Sequence, residues 1–282
     1  MITGTSNSDI IAEEQRIMDL YAPHYRTNSL TNSYPYQLER QRFANWLVSH
    51  VRQNATDLSK ISVLDVGCGT GEILQHLDEM GFNQLTGLDL SPKMIEQAES
   101  HVPTADLVNA SIDEYVFTNS RFGLITAAFT VHHLQEPRSF FEMVDRILLP
   151  DGWFFLLEYN MASWSRRNLL GRALSLPVVP LRKALKIKNS KALAGLDQIP
   201  PLFNSAHQQR TYAELIAAMP HREWYALTQV THGLWLPRLK HALLGSSPFD
   251  RAVTRTLETV EQWILPKGAG HFQWIAGRRL NF

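Results

Sequence analysis

Three glycines and two acids mark the part of this sequence best suited to chemistry. The run Val63-Leu64-Asp65-Val66-Gly67-Cys68-Gly69-Thr70-Gly71-Glu72 reads as a buried strand that passes through a carboxylate into a glycine-rich turn and then a helix. Glycines permit a tight turn and let a ligand approach bare backbone. The run departs from the dinucleotide fingerprint, which needs a glycine where Glu72 stands, and it lacks the Gly-Lys-Ser/Thr of a P-loop. A glutamate at a helix mouth repels phosphate but does not oppose a ligand carrying cationic groups. A second strand run ends at Asp89, 18 residues past Gly71, where a carboxylate can accept hydrogen bonds from both hydroxyls of a ribose. Further along stand two adjacent histidines, His132 and His133, and then Glu158. Either histidine is a candidate general base, and Glu158 is a candidate for binding an amine or hydroxyl. A purely structural role for the histidine pair, and a capping or ion-pair role for Glu158, stand beside these readings.

The surrounding periodicity says which elements must position those groups. Asp9 to about Val51 is helical in pattern, interrupted by a loop-like stretch from Tyr21 to Tyr36 that carries Tyr21, Tyr25, Tyr34 and Tyr36. Short apolar runs at Ile61–Val66, Leu85–Leu90, Ala105–Val108, Leu124–Phe129 and Trp153–Tyr159 read as strands. Helical segments alternate with them at Ile73–Met80, after Ser91-Pro92, and at about Pro137–Leu149; a serine before a proline is a helix start. Alternation of this kind predicts an α/β fold with a doubly wound, mostly parallel sheet. Thr211-Tyr-Ala-Glu214 is a capping box for a further helix, and Glu223–Val230 and His271–Arg278 are the last two strand candidates.

Composition excludes several classes. The chain has 282 residues, 44% of them apolar, with one cysteine, 27 basic and 27 acidic residues. One cysteine rules out an internal disulfide framework or a zinc site built from paired thiolates, no metal site is expected, and a reducing, cytoplasmic setting follows. No apolar run approaches the roughly 18 residues of a membrane span, and the balanced charge disfavours nucleic acid as a partner. The balance is uneven along the chain, however. Between Tyr159 and Leu196 lie Arg166, Arg167, Arg172, Arg182, Lys183, Lys186, Lys188 and Lys191 and no acid, so the remainder carries 19 basic against 27 acidic residues.

Taken together, the Asp-x-Gly-x-Gly-x-Gly turn, the spaced Asp89, the strand that ends before Val131-His132-His133-Leu134, and Leu149-Pro150-Asp151-Gly152 before the fifth strand resemble the class I S-adenosylmethionine-dependent methyltransferases over about Ile61 to Asn160. The resemblance implies a Rossmann-like, seven-stranded fold, S-adenosylmethionine as cofactor, and methyl transfer by in-line displacement. It also implies roles for particular residues. Gly67, Gly69 and Gly71 would form the turn beside the methionyl part, with Asp65 orienting its amino group. Asp89 and the adjacent Leu90 would hold the ribose side, Met94 would pack near the adenine, and Ser111 and Ile112 would face the adenine's polar edge. Ala128 would give space beside the methionyl group, while Tyr25 and Arg40 (or Arg42) would meet its carboxylate. Two departures are notable. Asn109-Ala110-Ser111 offers no acid after the third strand, where Asp113 is the nearest, and the fourth strand begins Phe122-Gly123 rather than Phe-Asp.

The expected organisation is an N-terminal helical lid over 1–55, a cofactor-binding core over 56–160, a basic helical insertion over 161–205, and a C-terminal part of the core over 206–282 with a helical insertion at about 237–266. The acceptor expected is a small molecule, natural product or lipid-like compound. For the basic segment three readings are open: a substrate lid, peripheral membrane contact through 164–191, or a solvated face. Two other functions also stand open, a non-catalytic cofactor-binding scaffold and a protein or peptide methyltransferase.

Overall fold

The computed structural model describes residues 7–26, 34–112, 115, 121–160, 210–232, 248, 251–252, 255–256 and 272–281. The basic segment 161–205, Asp113, and most of the expected insertion at 237–266 lie outside the described residues. Helices α1 (Asn7–Tyr21) and α2 (Tyr34–Val51) precede β1 (Ser62–Val66), α3 (Glu72–Glu79), β2 (Gln84–Asp89), α4 (Pro92–His101), β3 (Asp106–Asn109), β4 (Phe122–Ala128), α5 (Pro137–Ile147) and β5 (Leu148–Tyr159). Then come α6 (Tyr212–Ala217), β6 (Tyr225–His232) and β7 (Phe272–Arg279).

The strands form one sheet in the order β3-β2-β1-β4-β5-β7-β6. Every pairing from β3 to β5 is parallel, and β7 runs antiparallel to both β5 and β6. The fold is therefore the expected seven-stranded, mostly parallel sheet with helices on both faces. Strand direction and alternation explain the two apolar cores. Val63, Leu124, Phe155 and Leu157 pack with Phe43, Leu47, Ile73, Leu74 and Leu77 on one face. Their neighbours Leu64, Ile125, Phe154 and Leu156 pack with Phe140, Phe141, Val144 and Leu215 on the other. A strand covered on both sides reads as a continuous apolar run, which is how these strands appear in the sequence.

Chain order reverses between β1 and β4, since β1 is followed outward by β2 and β3 on one side while β4 and β5 lie on the other. In an open parallel sheet such a reversal leaves a crevice beyond the carboxyl ends of the two strands. Helix ends are capped as the sequence indicates. Ser91 Oγ accepts the N–H of Met94 at 3.1 Å with Pro92 in the first turn, and Thr211 and Glu214 close a reciprocal capping box. Among the described residues no helix is long and apolar enough to cross a membrane.

Candidate active site

The crevice holds a cavity of about 550 Å³ whose walls include the loops after β1, β2, β3 and β4 together with the N-terminal helices. Its volume is that of an ordinary small-molecule site. Of the residues singled out in the sequence, Tyr25, Arg40, Gly67, Gly69, Asp89, Leu90, Met94, Ser111, Ile112, Ala128, His132 and His133 all line it. Asp65, Gly71, Arg42 and Glu158 do not.

The glycine turn is shaped by backbone conformation. Gly67, Gly69 and Gly71 all have positive φ, at 66°, 54° and 81°. A Cβ on Gly67 would strike the Thr130 side chain at 2.4 Å, so glycine there is required both by φ and by packing. A Cβ on Gly69 would meet no protein atom within 4 Å, so this backbone is bare toward the cavity. Gly69 N–H donates to Asp89 Oδ2 at 2.8 Å and Ser91 N–H to Oδ1 at 2.9 Å, which fixes the carboxylate at the tip of β2. Burial raises the Asp89 carboxyl above its ordinary range against the lowering effect of those two N–H donors.

Asp65 sits one layer below. It is in register with Thr126 of β4, is 1% exposed, and accepts the Thr126 hydroxyl at 2.6 Å. Desolvation pushes its carboxyl up to about 7 despite that bond, with Asp89 adding repulsion. Its side chain thus braces β1 against β4 beneath the turn and does not form part of the cavity wall. Gly71 caps α3, packed against Val102 and Ala98.

Glu158 shows how tertiary structure settles a residue that the sequence leaves open. It is 3% exposed at the end of β5, behind the loop after β4. Its Oε1 accepts the N–H groups of Thr130 (3.0 Å) and Val131 (2.6 Å), and its Oε2 lies 2.8 Å from His132 Nδ1. The carboxylate therefore holds the 3-10 turn Val131–His133 and the imidazole together. His133 Nδ1 instead lies 2.6 Å from Glu14 Oε1 of α1. Burial, reinforced by His133, moves the His132 imidazole below its ordinary value, with Glu158 opposing the shift.

Arg40 is buried on α2, with Nε 3.1 Å from Glu72 and Nη2 donating to the Tyr25 hydroxyl at 3.4 Å. Glu72, which broke the dinucleotide pattern, is thus the counter-ion for a cavity-lining arginine. The N-terminal segment is fastened by further polar ties. Asp19 Oδ1 accepts from Ser91 Oγ at 2.5 Å, and Arg26 donates to the Thr70 carbonyl at 2.7 Å and to Gln75 at 3.1 Å.

Several wall residues went unnoticed in the sequence: Glu14, Met18, Phe129, Thr130 and Tyr159. Tyr36 was visible only as one of four loop tyrosines. Its ring packs edge-on to Phe129 at 5.8 Å and its hydroxyl is 3.3 Å from that of Tyr159. Phe129 adopts φ 57°, a conformation an aromatic residue rarely takes, with its ring 5.0 Å from Tyr159 and 5.7 Å from the Arg40 guanidinium. A Phe immediately after a strand carries no signal of this; the aromatic wall exists only once α2, the β4 loop and β5 are assembled.

Residues 64–156 match the family model described as a methyltransferase domain. The chain is 28% identical over 122 residues to a ubiquinone biosynthesis O-methyltransferase of Actinobacillus pleuropneumoniae, covering 40% of this chain and 52% of that protein. It is 26% identical over 96 residues to a demethylmenaquinone methyltransferase of Chlorobaculum tepidum, covering 34% of this chain and 40% of that one. The chain spans about half the length of the curated relatives it matches. Among solved structures, the plantazolicin methyltransferase BpumL, crystallised with a triazolic desmethylPZN analog and SAH, superposes with a TM-score of 0.57 at 13% identity, covering 97% of this chain and 98% of that one. At that identity the likeness is one of fold.

Proposed function

We propose that the chain is a class I S-adenosylmethionine-dependent methyltransferase, a reading supported by the match of residues 64–156 to a methyltransferase domain, and that it transfers a methyl group from S-adenosylmethionine to a small-molecule, natural-product or lipid-like acceptor by in-line displacement. The observation that carries this reading is the convergence of the bare Gly69 backbone, the braced Asp89 carboxylate and two histidines on one cavity. The residues present fit the cofactor. A side chain at Gly69 would intrude where the methionyl part passes, Asp89 keeps acceptor capacity for ribose hydroxyls, and Leu90, Met94 and Ile112 give an apolar slot for the adenine. Arg40 and Tyr25 supply donors for a carboxylate. The cofactor itself supplies the activated methyl group; the protein's task is to align an acceptor atom with it and to exclude water.

The similarity to a ubiquinone biosynthesis O-methyltransferase and a demethylmenaquinone methyltransferase supports a small-molecule acceptor. The cations of 164–191 suit a lid over an anionic acceptor, contact with an anionic membrane surface, or a solvated face, and co-sedimentation with anionic vesicles tests the second of these. The reading as a whole is tested by calorimetry with S-adenosylmethionine, joined to transfer of labelled methyl into a small-molecule cell extract. Measurable binding and incorporation are expected. Binding that is unchanged in Asp89→Ala would overturn it.

A further inference from the structure

His132 and His133 both line the cavity and each has a carboxylate at Nδ1, yet the two pairs are built on different foundations. Glu158 stands on β5 in the middle of the sheet and is held by two backbone N–H donors, so its position is set before any ligand arrives. Glu14 stands on α1, outside the sheet, where the helix is held by the apolar packing of Ile17 and Tyr21 with Met94 and by the Asp19–Ser91 tie. Exposure follows the same order: the His132 and Glu158 side chains are 7% and 4% exposed, those of His133 and Glu14 22% and 12%.

We propose that His132 is the proton acceptor of the reaction, that Glu158 is its positioning residue, and that the His133–Glu14 pair instead fastens the N-terminal helix over the cavity. This rests on the methyl-transfer reading and sharpens its substrate class, since the acceptor is then one that must give up a proton as it is methylated, such as a hydroxyl. With Glu158 Oε1 occupied by two N–H groups, Oε2 requires a donor, so the imidazole proton sits on Nδ1 and the lone pair on Nε2. In the transfer the acceptor O–H bond breaks as the O–CH₃ bond forms. The electron pair of the C–S bond remains on sulfur, and the proton passes to His132 Nε2 and later to solvent. The resulting imidazolium gains the Glu158 carboxylate as counter-ion. The titratable groups around His132 include Glu158, His133, Glu14 and Tyr159, whose ring lies 5.3 Å away, and burial lowers the imidazole below its ordinary value, which favours the neutral ring that can accept a proton.

The first test needs neither a variant nor an acceptor. Long-range nitrogen–proton spectra of the ¹⁵N-histidine-labelled protein should show His132 with its proton on Nδ1; a proton on Nε2 would overturn the proposal. In Glu158→Gln the single amide oxygen is claimed by the Thr130 and Val131 N–H groups, so the proton should move to Nε2, while Glu158→Asp should restore Nδ1–H. Methyl transfer from labelled S-adenosylmethionine into a small-molecule extract should fall about 10²-fold or more in His132→Ala. It should also lose its acid limb in Glu158→Gln and keep that limb in Glu14→Gln. An acid limb that moves with Glu14 rather than Glu158 would assign the base to His133 and end this proposal. Failure of the wild-type protein to bind S-adenosylmethionine would remove the methyl-transfer reading, while the tautomer result would stand by itself.

Discussion

The two ends of the cavity are made in different ways. Toward β2 and β3 the walls come from short loops directly after strands, and their chemistry is that of backbone: bare Gly69, a carboxylate pinned by two N–H groups, an apolar slot beside Met94. Toward β4 and β5 the walls are side chains brought from far apart. Tyr36, Phe129 and Tyr159 form an aromatic surface, His132 is oriented by a residue 26 positions away, and His133 by one 119 positions away. The difference teaches a division of labour. On the proposed reading, an invariant cofactor is met by backbone geometry that few side chains alter, whereas the end open to an acceptor can change one side chain at a time.

Substitutions can break that comparison. The largest effect on ligand binding is expected at Asp89→Ala, which on the proposed reading removes the ribose acceptor and strands the Gly69 and Ser91 N–H groups. Affinity for S-adenosylmethionine should fall about a hundredfold in calorimetry, the equivalent of ~2–3 kcal/mol. Gly67→Ala should act on the fold itself, because its methyl meets Thr130 and its φ is left-handed; a loss of about 3 kcal/mol in denaturant titration is expected. Gly69→Ala sharpens the contrast. It meets no protein atom, so only the conformational cost of about 1–2 kcal/mol should appear in stability, while cofactor affinity falls further than that of Gly67→Ala relative to its stability loss.

At the other end, Phe129→Gly should relieve the left-handed strain but delete the ring packed on Tyr36 and Tyr159. We expect a severalfold rise in acceptor KM with cofactor affinity unchanged within about twofold; an equal loss in both would show that the two ends are not separable. A further contrast is one of pH and concerns Asp65. Its carboxyl is raised from an ordinary 3.8 to about 7 in the folded protein, so the folded state holds a proton that the unfolded state has released. That contribution is complete below about pH 4 and is lost as pH rises toward 7. Stability followed across this window should decline more steeply in the wild-type protein than in Asp65→Asn.

The same contrast explains how much was legible in the sequence. Strands from β1 to β5, the caps at Ser91 and Thr211, and the glycine turn after β1 are readable because each rests on a local signal: a strand period, a capping residue, a glycine that must turn. For Asp65 the resemblance implies a contact with the ligand's amino group, and side-chain alternation along β1 places its carboxylate on the face it shares with Thr126, outside the cavity wall. For Glu158 the sequence leaves acceptor binding and a capping or ion-pair role open, and the N–H groups of the β4 loop and His132 engage its carboxylate in the second way. Glu14, Thr130 and Tyr159 gave no signal, since each matters only through a partner distant in the chain.

By itself, then, the sequence determined an alternating α/β chain, a sheet covered on both faces, and a turn that only glycine can form at the tip of β1, because those properties depend on residues within a few positions of one another. What the tertiary structure decided is which carboxylate meets which group. The crevice exists only where strand order reverses between β1 and β4. Once β5 lies beside β4 and α1 crosses the opening, Glu158 orients His132, Glu14 holds His133, and Glu72 balances Arg40. Buried polar groups must find partners on folding, and where those partners lie is a property of the packed sheet rather than of spacing along the chain.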